Sequence, residues 1–268
     1  MFNLLEMDVR RLFRSRSFYI VLAVTAALIL GLVLLVDTVT DQRVLDAMES
    51  QGAEITESDR EMRAELEGMS RLDFVHECLG SGFLLLLTGV GMTLFVHADF
   101  FSGYIKNICF ARPRRWEYVL SKILTAGVYS GVLTILGILL SLAGPILFGL
   151  HPGASSIGSI LQYALWMWLP NWAFGLMGLA LVLLTRSSTM GIIMAVISGG
   201  GVTVAVLRVV CRQLGWPALE QYLLSSVAQY QCVPLPGMPQ MVMILVCSAG
   251  WAALYGAGSL LAMAKRDL

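Results

Sequence analysis

Between Ile123 and Thr185 the chain runs for 63 residues without an Asp, Glu, Lys or Arg. Soluble domains are about a quarter charged, so this stretch has almost nothing to present to water. A bilayer accepts it, because a helix crosses the hydrocarbon core with about 20 mostly apolar residues. The whole chain is 57% hydrophobic and 13% charged, which reads as an all-α polytopic membrane protein. Six runs reach spanning length: residues 18–36, 80–98, 120–146, 157–185, 190–210 and 241–264. The third and fourth are long enough to tilt, or to include a bent or interfacial part.

The first run follows a basic leader, as a secretory signal does. A signal peptide, however, has an apolar core of about 7–15 residues and a small-residue cleavage site. Here the run passes straight into Val36, Asp37 and Thr38, so it is expected to be retained. Within residues 1–17, Phe2, Leu5, Val9, Leu12 and Phe13 recur at helical spacing, and Arg10, Arg11 and Arg14 occupy much of the other surface. This predicts an amphipathic helix lying in the inner interface; the same arginines also serve as a topology signal. Residues 211–240 are apolar but interrupted by Pro217, Pro234 and Pro236. They predict a re-entrant outer hairpin before the last span, shielded by protein because lipid cannot satisfy its backbone. Cys211 and Cys232 both fall in it, and whether they pair stays open.

Orientation follows from charge. With the N-terminus inside, six spans place 12 of the 18 Lys and Arg residues on the cytoplasmic side, the bias that the positive-inside rule expects. Both termini are then cytoplasmic, at a cell membrane. Residues 37–77 are of another kind, with twelve acids against four arginines. Such a run is ordinarily a solvated loop. The sharper reading is an outer surface that attracts cationic substrate through Glu54, Glu57, Asp59 and Glu61.

Other classes lack their residues. No ionisable side chain stands clearly central in a span: His97 and Asp99 close the second run, and Arg208 nears the outer end of the fifth. Proton- and ion-coupled carriers ordinarily place such groups inside the membrane. The sequence has no HExxH, no pair of intramembrane aspartates and no GxxxxGKS or GxxxxGKT phosphate loop. No catalytic residue, metal site or nucleic-acid surface is therefore assigned, and the chain is not read as an enzyme. Gly127 with Gly131, and Ala249, Ala253 and Ala257, allow close helix approach. Pro170 can kink the fourth run, and Gly199-Gly200-Gly201 can loosen the fifth.

The charged island at residues 99–122 carries the most specific pattern. It presents Asp99, Gly103, Ile105-Lys106-Asn107, Arg112-Pro113-Arg114-Arg115 and then Ser121-Lys122 at the entry to the third run. With the N-terminal helix, six runs, the interrupted segment before the last and the turn Thr185-Arg186-Ser187-Ser188, the chain resembles the permeases of type 2 ATP-binding-cassette exporters. It is similar in layout to bacterial peptide and antibiotic exporters and lantibiotic-immunity permeases, although members often carry glutamate where Asp99 stands. The resemblance spans the chain and implies a single permease domain over residues 1–268. It implies a coupling segment that meets separate ABC ATPase subunits through Asp99, Gly103, Tyr104, Lys106, Asn107 and Arg112. ATP and magnesium would be held by those partners, with no cofactor on this chain. A second permease subunit, identical or different, would complete the assembly. The cargo implied is a peptide, cationic antimicrobial ones included, or another amphiphile. Arg10, Arg11, Arg14, Arg114, Arg115 and Lys122 are expected to meet membrane-lipid phosphates or fix topology. The alternative is a non-transport signalling or assembly partner that uses the acidic outer loop for recognition.

Overall fold

In a medium without water each backbone N–H and C=O must be satisfied within the protein, which favours helices. The computed structural model describes residues 2–51, 55–105, 115–216 and 219–265, apart from the side chains of Phe2, Ser58, Asp59, Arg60, Gln231 and Lys265. The described residues are helical, with no strand. In chain order the helices are α1 (Phe2–Arg14), α2 (Arg16–Thr40), α3 (Gln42–Ser50), α4 (Glu57–Gly68), α5 (Arg71–Leu79), α6 (Phe83–Phe101), α7 (Arg115–Phe148), α8 (Ile157–Thr185), α9 (Ser188–Gly199), α10 (Val202–Gln213) and α11 (Met238–Lys265). Five of them, α2, α6, α7, α8 and α11, are long and apolar enough to cross a membrane.

The expected fifth span is not one straight helix. It breaks into α9 and α10, which bend by 65° relative to each other. Gly201 takes φ 79° there, a left-handed conformation that glycine adopts without a Cβ penalty. Residues 219–231 continue as a 3-10 turn (Leu219–Tyr222), one α-turn (Leu224–Ser226) and a π-turn (Val227–Gln231). Leu224, Val227, Ala228 and Cys232 are buried in the same apolar cluster as residues of α8 and α11.

Helix α8 is the most buried of the five long helices, and α2 and α11 are the least. Ile20, Leu28 and Leu35 on α2, and Val242, Val246 and Leu254 on α11, face outward. Apolar surface on that scale suits lipid rather than water. The Gly127/Gly131 pair is taken up within the chain. Trp168 and Trp172 of α8 stack with centroids 5.5 Å apart and planes at 4°. Their indole N–H groups donate to the Gly127 and Ile123 carbonyls of α7, each at 2.9 Å. A Cβ on Gly127 would come within 3.3 Å of Trp172 Nε1.

Pro170 lies inside α8. Having no N–H, it leaves the Trp166 carbonyl one turn earlier without its helical donor. The Cys232 thiol donates to that oxygen at 3.4 Å. Cys211 and Cys232 are both buried free thiols, so no disulfide joins them. Cys232→Val is expected to destabilise the protein by about 1–3 kcal/mol, the cost of an unsatisfied buried acceptor, whereas Cys232→Ser retains a donor and most of the stability. Thermal unfolding in detergent checks this; equal losses for the two variants would assign the effect to packing alone.

The ends of the long helices sort into two groups. Asp99 at the end of α6 and Lys122 near the start of α7 meet Arg11 and Asp8 of α1 at one end of the bundle, called here the near end. Helices α4 and α5 gather at the far end, where a bridge between Ser70 and Gly153 ties the α4–α5 turn to the α7–α8 loop.

Candidate functional site

Residues four apart on a helix share a face. On α1 the fully buried line is Leu4, Asp8 and Leu12, so the helix presents a carboxylate, not only apolar groups, to the protein. Of the apolar face expected to lie in the interface, Leu12 is buried in the protein, Phe13 is substantially exposed, and Leu5 and Val9 are half-buried. Asp8 could be seen in the sequence as the one charge flanked at both four-residue spacings by leucine.

Across from Asp8, α7 places Tyr118, Ser121 and Lys122 on one face through their i, i+3, i+4 spacing. Asp99 comes from the last turn of α6. The four charges close into an alternating ring. Lys122 Nζ lies 2.7 Å from Asp8 Oδ1 and 2.7 Å from Asp99 Oδ2. Arg11 Nη2 lies 2.7 Å from Asp99 Oδ1, and Arg11 Nη1 returns to Asp8 Oδ1 at 3.8 Å. Asp8, Asp99 and Lys122 are fully buried, and Arg11 is about two-thirds buried. The remaining lone pairs are also used. Ser121 Oγ–H donates to Asp8 Oδ2 at 2.6 Å, and Tyr118 O–H donates to Asp99 Oδ2 at 2.9 Å.

Aromatic rings complete the surroundings. The Arg11 guanidinium lies 3.6 Å above the Tyr104 ring, and the Lys122 ammonium lies 4.5 Å from the Phe95 centroid. Burial works against the Arg11 charge, but the Asp99 carboxylate and hydrogen bonds to Asp99 and Tyr104 outweigh it and hold Arg11 above its ordinary value. Burial, with Asp8 nearby, pushes the Tyr104 phenol up despite its contact with Arg11. The ring thus holds two cations and two anions with no net charge. It ties α1, α6 and α7 together.

Two expectations change. Lys122, expected to meet lipid phosphates or fix topology, is enclosed by two carboxylates, because a buried ammonium needs anions close by. Asp99, expected to face a partner, has both oxygens engaged inside the chain. Tyr104 joins the same cluster. Gly103 takes φ 68° in the turn after α6, with nothing within 4 Å of a Cβ placed there. Lys106, Asn107, Arg112 and Arg114 lie outside the described residues. Arg10 is exposed and pairs with Glu6 at 2.7 Å, and Arg14 is exposed at the end of α1. Arg115 opens α7 and donates to the Met263 carbonyl at 3.2 Å, tying the start of α7 to the last turn of α11.

At the far end, Glu57 and Glu61 are exposed on α4; Glu54 and the Asp59 side chain lie outside the described residues. His76 Nδ1 is 3.3 Å from the Tyr163 hydroxyl. Burial lowers the His76 value against the opposing pull of Glu77 and Asp73. Arg208 pairs with Glu220 at 2.9 Å, joining α10 to the 3-10 turn. Among the described residues no group of three or more His, Cys, Asp and Glu could hold a metal ion. Neither a protein-family model nor a curated protein matches this sequence.

Proposed function

We propose that the chain is the membrane permease subunit of an ATP-driven exporter, with six spans, counting α9 and α10 together as the fifth, and both termini in the cytoplasm. It works with separate ABC ATPase subunits, which hold ATP and magnesium, and with a second permease subunit at a bacterial cell membrane. The cargo is a peptide or another amphiphile. The observation that carries this reading is the buried charge ring. Residues 106–114 connect α6 to α7, and the ring clamps both flanking helices to α1. A push on such a connection moves three helices as one body rather than bending a loose loop. The broken fifth span and the π-turn segment add irregular backbone of the sort that membrane transporters use where it is covered by protein.

The test is co-expression with a candidate stand-alone ATP-binding-cassette ATPase, followed by purification in lipid. A stable complex with raised ATPase activity is expected. Gly103→Pro is expected to lose that complex while still inserting, because proline fixes φ near −65° and Gly103 sits at 68°. Failure of any ATPase to associate would remove the power source and with it this reading.

A further inference from the structure

Two cavities at the far end share one carboxylate. The first, about 350 Å³, runs between α2, α4 and α5; its apolar lining includes Val36, Met62, Leu66 and Phe74, and its two acids are Glu65 and Glu77. The second, about 440 Å³, is polar and lies beyond Glu77, with Ser81, Gln229 and Tyr230 on its walls. Glu65 and Glu77 are exposed, and neither carries an ion pair among the described residues. The nearby cation Arg63 is engaged elsewhere, by Asp37 at 3.3 Å and Glu67 at 3.4 Å.

The second cavity is rich in acceptors. Gln229 Nε2 donates to the Ser81 carbonyl at 3.4 Å, and the residues that line the space, His76 among them, bring three further acceptor groups: Gln229 Oε1, the Ser81 hydroxyl and the Glu77 carboxylate. Three acceptors around one negative charge match a primary ammonium, which has three donors and no acceptor. The adjoining apolar groove matches an alkyl or aliphatic body. Residues 37–77, which include both acids, carry twelve acids against four arginines, so the local field also favours a cation.

We propose that this paired cavity is a binding site for an amphiphilic ammonium ion, its apolar part in the α2–α4–α5 groove and its amine at Glu77, with Glu65 on the groove wall adding to the negative field. The attraction is thereby placed at Glu65 and Glu77 rather than along Glu54, Glu57, Asp59 and Glu61. The inference deepens the exporter reading and takes from it only that the far end faces outward. Binding is measured without any ATPase, so loss of the ATPase complex would overturn that reading and leave this one standing.

The experiment uses the full chain in nanodiscs of zwitterionic phosphatidylcholine, with a fluorescent tetrapeptide amide of alternating leucine and lysine. The comparison peptide has glutamine in place of lysine. Fluorescence anisotropy should show the lysine peptide binding about tenfold or more tightly, the scale of one or two hydrogen bonds to a charged group. Glu65→Gln with Glu77→Gln should abolish that preference, while Glu57→Gln with Glu61→Gln should retain it. Circular dichroism checks that both variants remain helical. No preference in the wild type, or a preference kept by the Glu65/Glu77 variant, overturns the proposal. Equal loss in both variants also overturns it, because a diffuse acidic field would then suffice.

Discussion

Lys122→Met is expected to be among the most damaging single changes in the chain, at about 3–5 kcal/mol, the range for breaking a buried ion pair by removing one partner. The reason is geometric. Lys122 Nζ is the shared cation of Asp8 and Asp99, 2.7 Å from each. Without it two buried carboxylates face each other, and Arg11 makes close contact only with Asp99. Neutralising in pairs should recover much of the loss. Asp8→Asn combined with Lys122→Met leaves Asp99 paired with Arg11, and its cost should fall below that of Lys122→Met alone. Residues in one network couple by about 0.5–3 kcal/mol. Asp8→Asn alone should cost less than Lys122→Met, because Lys122 keeps Asp99. Thermal unfolding in detergent gives the order of stabilities. Trypsin cleavage at Arg10 and Arg14 reports whether α1 has left its seat. If Lys122→Met unfolds with the wild type and the pair brings no recovery, the ring is not what holds α1.

The legible part of this fold was the part governed by length and hydropathy. Helix α8 matches its apolar run at both ends, and α2, α7 and α11 extend theirs by a few residues, because a helix that crosses hydrocarbon stays apolar whether it faces lipid or the other helices. The fifth run is bent by 65° at the three glycines able to loosen it, an angle that hydropathy does not carry. Within the acidic loop Glu61 and Glu65 stand four apart with Arg60 and Arg63 interleaved, a helical spacing that α4 takes up. The site was half legible. Asp99, Tyr104, Arg11 and Lys122 were all marked as charged or polar groups near one end, but each was assigned an outward task. What closes the ring is Asp8, whose position on the Leu4–Leu12 face matters only once α1 is known to lie against α7. A one-dimensional pattern shows that a charge is present on an apolar face; it does not show which distant charge meets it. The Cys232–Trp166 contact has the same character, since Pro170 predicts an orphan carbonyl but not the residue 66 positions away that satisfies it.

Two glycine-to-alanine changes should separate side-chain crowding from backbone crowding, each at about 1–3 kcal/mol or more, the cost of overpacking a filled interior. A Cβ on Gly91 would collide with the Tyr129 phenol, whose hydroxyl is its nearest neighbour. That hydroxyl is buried without a hydrogen-bond partner, so Tyr129→Phe alone should be neutral or stabilising. Because the obstacle is the end of a side chain, Tyr129→Leu should restore most of what Gly91→Ala loses. At Gly199 the obstacle is main chain: a Cβ there would lie 2.8 Å from both the Cα and the N of Leu86. Leu86→Ala cannot move those atoms, so no rescue is expected, and α9 must instead shift away from α6. Gly199 also ends α9 at the break, so that shift changes where α10 lies and disturbs the far-end segment tied to it through Arg208 and Glu220. Unfolding temperatures of the two single and two double variants test the contrast. Rescue of Gly199→Ala by Leu86→Ala would mean that α9 and α6 are less closely seated than their backbones place them.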